Sequence, residues 1–258
     1  MNPNQLKTYH LIQMQNFSIQ VVGTGSTGNC YLLNVNDQTL VIEAGVNFTK
    51  VKKALDYDLK KVVGVLVSHE HGDHSAFIYE FIKKGKKIFC TLGTSEKLKK
   101  SYYINKIEYL KCFQIGIFNI TPFKTFHNPV KEDGSDDTNS RFYVNEPCGF
   151  LIEFEGKRLV FLTDSCDLKT KFKNIDYWLI EANYSNEKLQ NSSLDILLKK
   201  RIQDTHMSID RCKTILEAHN AQNSELVLLI HASNNHSDKE EFLRKIPYAA
   251  IAVDGLVI

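Results

Sequence analysis

His69, His71, Asp73 and His74 stand within six consecutive positions of the segment LVSHEHGDHS, residues 66–75. Imidazole nitrogens and carboxylate oxygens are ligands that zinc, manganese and iron all accept. In an extended segment, residues two apart point the same way, which pairs His69 with His71. Gly72 permits the turn that brings Asp73 and His74 round as a second pair. Two other readings compete: a polar turn whose histidines face water, and a site for one ion. The apolar run VVGVLV just before the cluster opposes the first, because a core strand presents the residues at its end rigidly.

Ligands placed this way need further partners from other strand ends. Apolar runs end at His69, His127, Asp164, Glu181 and His231, and residues at several strand ends converge on one rim of a sheet. The text between them fits that arrangement. FSIQVVG, NCYLLNV and QTLVIEAG alternate or run apolar, with breaks at GTGSTGN and NDQ. KIFC, the stretch FQIGIFNITPFKTFH, YWLIEAN and ELVLLIHAS read as further strands, and CGFLIEFEGKRLVFLTDS reads as a hairpin turning at Glu155 and Gly156. Helical spacing marks TKVKKALDYDLKK, SAFIYEFIKK, TSEKLKKSY, SSLDILLKKRIQDTH and IDRCKTILEAHNA. SDKEEFLRKI is expected to start with a capping box from Ser237 to Glu240. The strands and helices in each half predict an α/β protein, also describable as α+β, with two packed sheets and outer helices. One domain spanning 1–258 is expected, because the candidate ligands fall on both sides of the polar stretch 128–147.

The bulk numbers exclude little. A formal charge of +2 neither demands nor forbids a nucleic-acid partner. Six cysteines form no CxxC pair and mostly sit in apolar runs, which reads as small buried side chains. No run approaches the roughly 20 apolar residues of a membrane span, and the first residues lack a signal pattern, so no membrane and a cytoplasmic location are expected.

HEHGDH fits the HxHxDH motif, and here the chain resembles the metallo-beta-lactamase fold hydrolases. VVGTGSTGNCYLL is similar to their opening hairpin, and LVIEAG to their second strand pair, with Glu43 where an aspartate commonly stands. FLTDS resembles their strand ending in a bridging aspartate. THMS and LLIHAS resemble two late histidine motifs of the branch with ribonuclease Z, the cyclic-phosphate phosphodiesterases and the YycJ/WalJ-like proteins. GSTGNCYLL, IEANY and HASNN look most like the last group. The resemblance covers nearly the whole chain and implies a four-layer αββα sandwich of two mixed sheets. It also implies that His69, His71 and His127 hold one ion, that Asp73, His74 and His231 hold a second, and that Asp164 bridges them. The ions would be zinc, with manganese or iron as alternatives. His206 would lie beside them as a catalytic proton donor, and Asp73 would serve catalysis as well as ligation. Glu181 and Glu43 are candidates to orient the ligands, while Ser165 and Asp167 read as turn formers.

Water between two cations loses a proton far more readily than bulk water and can attack phosphorus or a carbonyl carbon. The resemblance implies a phosphodiesterase or nuclease acting on nucleic acid, including a single-stranded DNA exonuclease as in the YycJ/WalJ-like group. The alternatives are a hydrolase of a small cyclic phosphodiester, lactone or thioester, and a binding protein with a relic metal site. The stretch 128–147, with Lys131, Arg141, Phe142 and Tyr143, reads as a substrate flap or a solvated loop. GTGSTGN precedes a strand rather than a helix, so it fails as a dinucleotide fingerprint; its serine, Ser26, and Asn29 are expected to form a hairpin turn near the site. The lysine pairs at 52–53, 60–61, 83–84, 86–87 and 99–100 read as wet surface, with guidance of a polyanion as the alternative.

Overall fold

The strand text folds into two sheets in a computed structural model that describes residues 17–98, 103–127 and 146–258. The first residues, the end of TSEKLKKSY and the expected flap positions Lys131, Arg141, Phe142 and Tyr143 lie outside the described residues. The first sheet runs in sequence order through β1 (Phe17–Gly23), β2 (Cys30–Val35), β3 (Gln38–Ile42), β4 (Val62–Leu66), β5 (Ile88–Thr91) and β6 (Ile104–Ile107). The second comprises β7 (Phe113–Ile115), β8 (Phe118–Lys124), β9 (Cys148–Phe154), β10 (Lys157–Leu162), β11 (Tyr177–Glu181), β12 (Leu226–Ile230) and β13 (Ala249–Ile251), again in sequence order across the sheet. The chain end closes the first sheet from its open side: Ile19 and Ile258 exchange backbone hydrogen bonds beside β1.

Helices α1 (Phe48–Ala54), α2 (Gly72–Ser75), α3 (Ile78–Lys83) and α4 (Leu92–Lys97) accompany the first sheet. Helices α5 (Asn186–Gln190), α6 (Ile196–Thr205), α7 (Ile209–Ala218) and α8 (Lys239–Lys245) accompany the second. Three apolar clusters define the layers. Ile19, Tyr31, Leu33, Phe150 and Phe161 fill the space between the sheets. Phe48, Val51, Ile78 and Phe81 seal α1 and α3 on the outer face of the first sheet. Ile209, Cys212, Leu216 and Phe242 seal α7 and α8 on the second. This is the four-layer αββα sandwich that the sequence predicts. Its continuous apolar strands, such as LVLLI in β12, are buried on both faces.

Strand direction explains how distant residues meet. β10, β11 and β12 are mutually parallel, and β8 runs with them because β9 is antiparallel to both β8 and β10. Their C-terminal ends therefore deliver His127, Asp164, Glu181 and His231 to one rim. In the first sheet β3 and β4 are parallel, with Ile42 paired to Leu66, so Glu43 and the HEHGDH segment leave the same edge.

Local details differ from the sequence reading: the helix expected over TKVKKALDYDLKK ends at Ala54, before Asp56 and Tyr57 at positive φ. The last helix is capped one position later than expected: Asp238, not Ser237, accepts the Glu241 amide at 3.0 Å. Ser237 instead donates its own amide to the Ser233 carbonyl. Cys112 is exposed, whereas Cys30, Cys90, Cys148 and Cys212 are buried thiols as expected. The hairpin at Glu155 and Gly156 forms with both residues at positive φ, 46° and 74°, as a two-residue turn requires.

Gly45 sets the closest tolerance near the rim. A Cβ there would stand 1.7 Å from the Asp73 carbonyl oxygen and 2.8 Å from the His74 amide nitrogen. Backbone cannot yield as a flexible side chain can. Gly45→Ala is expected to displace the Asp73–His74 turn and to halve the metal content of the purified protein, read by elemental analysis. A variant with wild-type metal content would show that this contact does not hold the turn.

Candidate metal centre

The rim gathers three overlapping donor groups, each with ligand atoms within 4.8 Å of one another: His69, His71, His127 and Asp164; Asp73, His74, Asp164 and His231; and Asp164, Glu181, His206 and His231. All seven residues expected as ligands thus meet in space, with His206 beside them. Most are buried, and the cleft above them encloses about 430 Å³.

In the first group, inward-facing nitrogens crowd together. His69 Nε2 and His71 Nδ1 are 3.0 Å apart, and His127 Nε2 is 3.1 Å from the same His71 atom. The opposite ring nitrogens of two of these residues are occupied elsewhere. His69 Nδ1 lies 2.9 Å from Ser68 Oγ, and His127 Nδ1–H donates to the Thr205 carbonyl at 2.8 Å. Bonds of this kind fix which nitrogen keeps a free lone pair. Three converging lone pairs repel one another, and a cation between them removes the conflict. The donor set therefore fits a divalent metal.

Asp164 divides its carboxylate between the groups. Oδ2 is 3.7 Å from both His69 Nε2 and His127 Nε2, whereas Oδ1 is 3.3 Å from His74 Nε2 and 3.4 Å from His231 Nδ1. Around the second group, Glu43 Oε2 sits 3.5 Å from His74 Nδ1, and Asn29 Nδ2 lies 3.2 Å from His74 Nε2. Asn29 also contacts the Asp73 carbonyl and carboxylate, so the GTGSTGN turn reaches the site as the sequence suggests.

Backbone strain concentrates at this rim. Glu43, Asp164 and His231 adopt φ of 69°, 43° and 55°, the left-handed region that L residues avoid. Each follows a strand end and is buried. Such conformations cost about 1–3 kcal/mol each and persist only where surroundings over-determine them. Here they turn Asp164 and His231 to the cleft and Glu43 towards His74 behind it.

The third group centres on Glu181. Its fully buried carboxylate accepts from the Ser165 amide at 2.8 Å and the Met207 amide at 3.3 Å. It also lies 2.7 Å from His206 Nδ1 and 3.3 Å from His231 Nδ1. THMS is held there by the strand extension after β11, through Asn183 N–H to the Met207 carbonyl and Ile209 N–H to the Tyr184 carbonyl. His206 is the residue that ends α6 and is also bonded to Glu181. Ser165 and Asp167 serve structure: Ser165 Oγ accepts the Phe126 amide, and Asp167 pairs with Arg211.

Several residues of the site escape sequence reading. Asn183 Nδ2 touches His231 Nδ1 at 3.3 Å and donates to the His231 carbonyl at 2.9 Å. Thr24 Oγ1 accepts the His231 amide. Lys97, Arg201 and His236 line the cleft. Asn183 carries one usable signal, its position two residues beyond Glu181. The others depend on contacts far apart in sequence.

The protein's own field reserves this place for positive charge. Burial raises the Asp164 carboxyl pKa, but His231 and His74 outweigh it and hold the group well below the usual range. Burial depresses His231, yet Asp164, Asp73 and Glu181 push it up to about 10. His74 is likewise raised, burial being overcome by Asp164 and Glu43. Protons on these rings and divalent cations are alternative sources of the same charge. His231 is protonated below about pH 10 and must lose that proton to ligate, so metal affinity is expected to rise with pH from 6 to 9. Calorimetric titration with zinc in buffers of different ionisation enthalpy should show proton release. Binding without release would exclude these imidazoles as ligands.

Two sheets between helical layers, with histidines and carboxylates gathered at one rim, define a metallohydrolase of the metallo-beta-lactamase fold. The chain belongs to the beta-lactamase superfamily domain family, whose profile matches residues 38–232. It is 26% identical over 238 residues to the exodeoxyribonuclease WalJ of Streptococcus pneumoniae serotype 2 (strain D39 / NCTC 7466), covering 87% of this chain and 84% of that one. To the exodeoxyribonuclease YycJ of Bacillus anthracis it is 24% identical over 189 residues, covering 70% and 69%. Among solved structures, the metallo-beta-lactamase fold protein YhfI from Bacillus subtilis superimposes with a TM-score of 0.69 at 19% identity, covering 94% of this chain and 98% of that one. Among the described residues, no helix is long and apolar enough to cross a membrane.

Proposed function

We propose that this chain is a cytoplasmic two-metal phosphodiesterase that cleaves nucleic acid, acting as an exonuclease on single-stranded DNA. One observation carries the reading: the two oxygens of Asp164 face two separate sets of histidines, the arrangement expected of a bridging carboxylate. The names of the curated relatives support the choice of DNA. His69, His71 and His127 would hold one ion, Asp73, His74 and His231 the other, with zinc first and manganese or iron as alternatives. Divalent ions at such sets acidify water and neutralise charge on phosphate oxygens.

The remaining chemistry belongs to the chain. Burial lowers the His206 pKa, but the Glu181 carboxylate beside its Nδ1 more than reverses this and leaves it raised. The imidazole therefore holds its proton more tightly than a free histidine, suited to protonating the departing alkoxide. Glu181 fixes the ring's orientation and is itself held by two backbone amides. Asp73, the half-buried carboxylate of the second set, lies 3.4 Å from His231 Nε2 and orients it.

Metal-reconstituted protein is expected to hydrolyse bis-p-nitrophenyl phosphate and to shorten labelled single strands stepwise from one end. His71→Ala should abolish both. If the metal-loaded protein cleaves neither, the assignment fails. Hydrolysis of a small cyclic phosphodiester, without oligonucleotide cleavage, would select the small-substrate alternative.

A further inference from the structure

Beyond the metal donors and His206, Glu70, Lys97 and Arg201 are the charged side chains described at the wall of the cleft. They are not equivalent. Lys97 is tied to Glu70, Nζ to Oε1 at 2.6 Å, and both are largely covered. Arg201 is exposed, and among the described residues its guanidinium has no ion-pair or hydrogen-bond partner. It is the cleft's one described cation outside the imidazoles that no carboxylate neutralises.

Its placement follows from α6. Leu198, Arg201, Ile202 and Thr205 follow the i, i+3, i+4, i+7 spacing of one helix face, and all four line the cleft. The C-terminal end of that face is anchored to the metal centre, since the Thr205 carbonyl accepts His127 Nδ1–H and His206 follows directly. Towards its N-terminus the helix leaves the body: among its ten residues only Thr205 is buried, while Ile196 and Leu197 are 83% and 65% exposed. Arg201 thus stands about one helical turn, roughly 5.4 Å along the axis, outward from Thr205. That outward step along the cleft wall suits the phosphate next along the strand. Leu198 and Ile202, flanking Arg201 on the same face, offer sequence-indifferent apolar contact to sugar or base.

We infer that α6 is a strand guide, in which Arg201 grips the phosphate flanking the scissile bond of a single-stranded nucleic acid while Leu198 and Ile202 support the adjoining nucleoside. The inference rests on the nuclease reading above and adds to it the residue that selects a polymer over an isolated phosphodiester. A guanidinium suits the role because its fork binds phosphate oxygens in pairs.

The test compares wild type, Arg201→Ala and Arg201→Lys, all metal-loaded, on a labelled single-stranded oligonucleotide and on bis-p-nitrophenyl phosphate. In Arg201→Ala, KM for the oligonucleotide is expected to rise about tenfold to a hundredfold, the range for a lost charge-assisted hydrogen bond. kcat should change far less, and the loss on the oligonucleotide should exceed that on bis-p-nitrophenyl phosphate at least tenfold. The plot of log KM against log salt should become shallower by about 0.7, one phosphate contact on a single strand. Arg201→Lys should restore that slope while restoring KM only in part. A merely structural role moves both substrates together and leaves the slope alone; that result, or no effect in either variant, overturns the inference. Wild-type protein that hydrolyses bis-p-nitrophenyl phosphate but no oligonucleotide overturns the nuclease reading and the inference with it, and is recognised without any variant.

Discussion

Asp164→Asn is expected to lower phosphodiester hydrolysis about 10³-fold and to reduce bound metal, with little change in fold. Asparagine nearly preserves the shape of the side chain. It removes the negative charge that balances two clusters of imidazoles, and it replaces one of two oxygens that face different histidine sets. Losing about 4 kcal/mol of charge stabilisation corresponds to that factor, because each 1.36 kcal/mol is tenfold. Asp164 is also the member common to all three donor groups, so no other single carboxylate reaches as many partners. Steady-state kinetics with elemental analysis on the same sample checks the prediction. Activity within tenfold of wild type would show that Asp164 does not link the two sets.

The second large effect is on stability. Glu181→Ala should destabilise the protein by about 3–5 kcal/mol, the range for breaking a buried ionic network by removing one partner. Its carboxylate is fully buried and joins three segments: the turn after β10 through Ser165, the THMS connection through Met207 and His206, and the end of β12 through His231. Alanine leaves the two amides without their acceptor and frees His206 to rotate. Glu181→Gln keeps an acceptor oxygen and should cost clearly less. Urea denaturation of both variants gives the comparison. Equal midpoints for alanine and wild type would mean that the network contributes nothing to the fold.

What could be read in the residues depended on how local the signal was. HEHGDH is contiguous, follows a core strand, and announces four donors at once. Strand ends such as FLTDS and LLIHAS carry the same kind of signal, since an apolar run that stops on a polar side chain marks a rim. The layers followed from the alternation of apolar runs with helical spacing. Thr24 was harder because it acts on a backbone group brought near by folding, and Asn183 offered only its position two residues beyond Glu181. Arg201 was hidden for a related reason. In sequence it is the third of three cations in KKR, and only the direction of α6 separates it from the two lysines before it. The cap of α8 moved by one residue because Asp238 and Ser237 both suit the role, and the Ser233 carbonyl takes the Ser237 amide. The positive φ values of Glu43, Asp164 and His231 could not be anticipated either, because sequence favours glycine or asparagine there. Their strain marks the place where function overrides local preference.

The central claim is that side chains from both sheets enclose a pair of divalent cations that share Asp164. Anomalous diffraction from crystals grown with zinc or manganese tests it most directly. Two peaks are predicted, one against His69, His71, His127 and Asp164 Oδ2, the other against Asp73, His74, His231 and Asp164 Oδ1. A single peak, or metal bound away from Asp164, would contradict it.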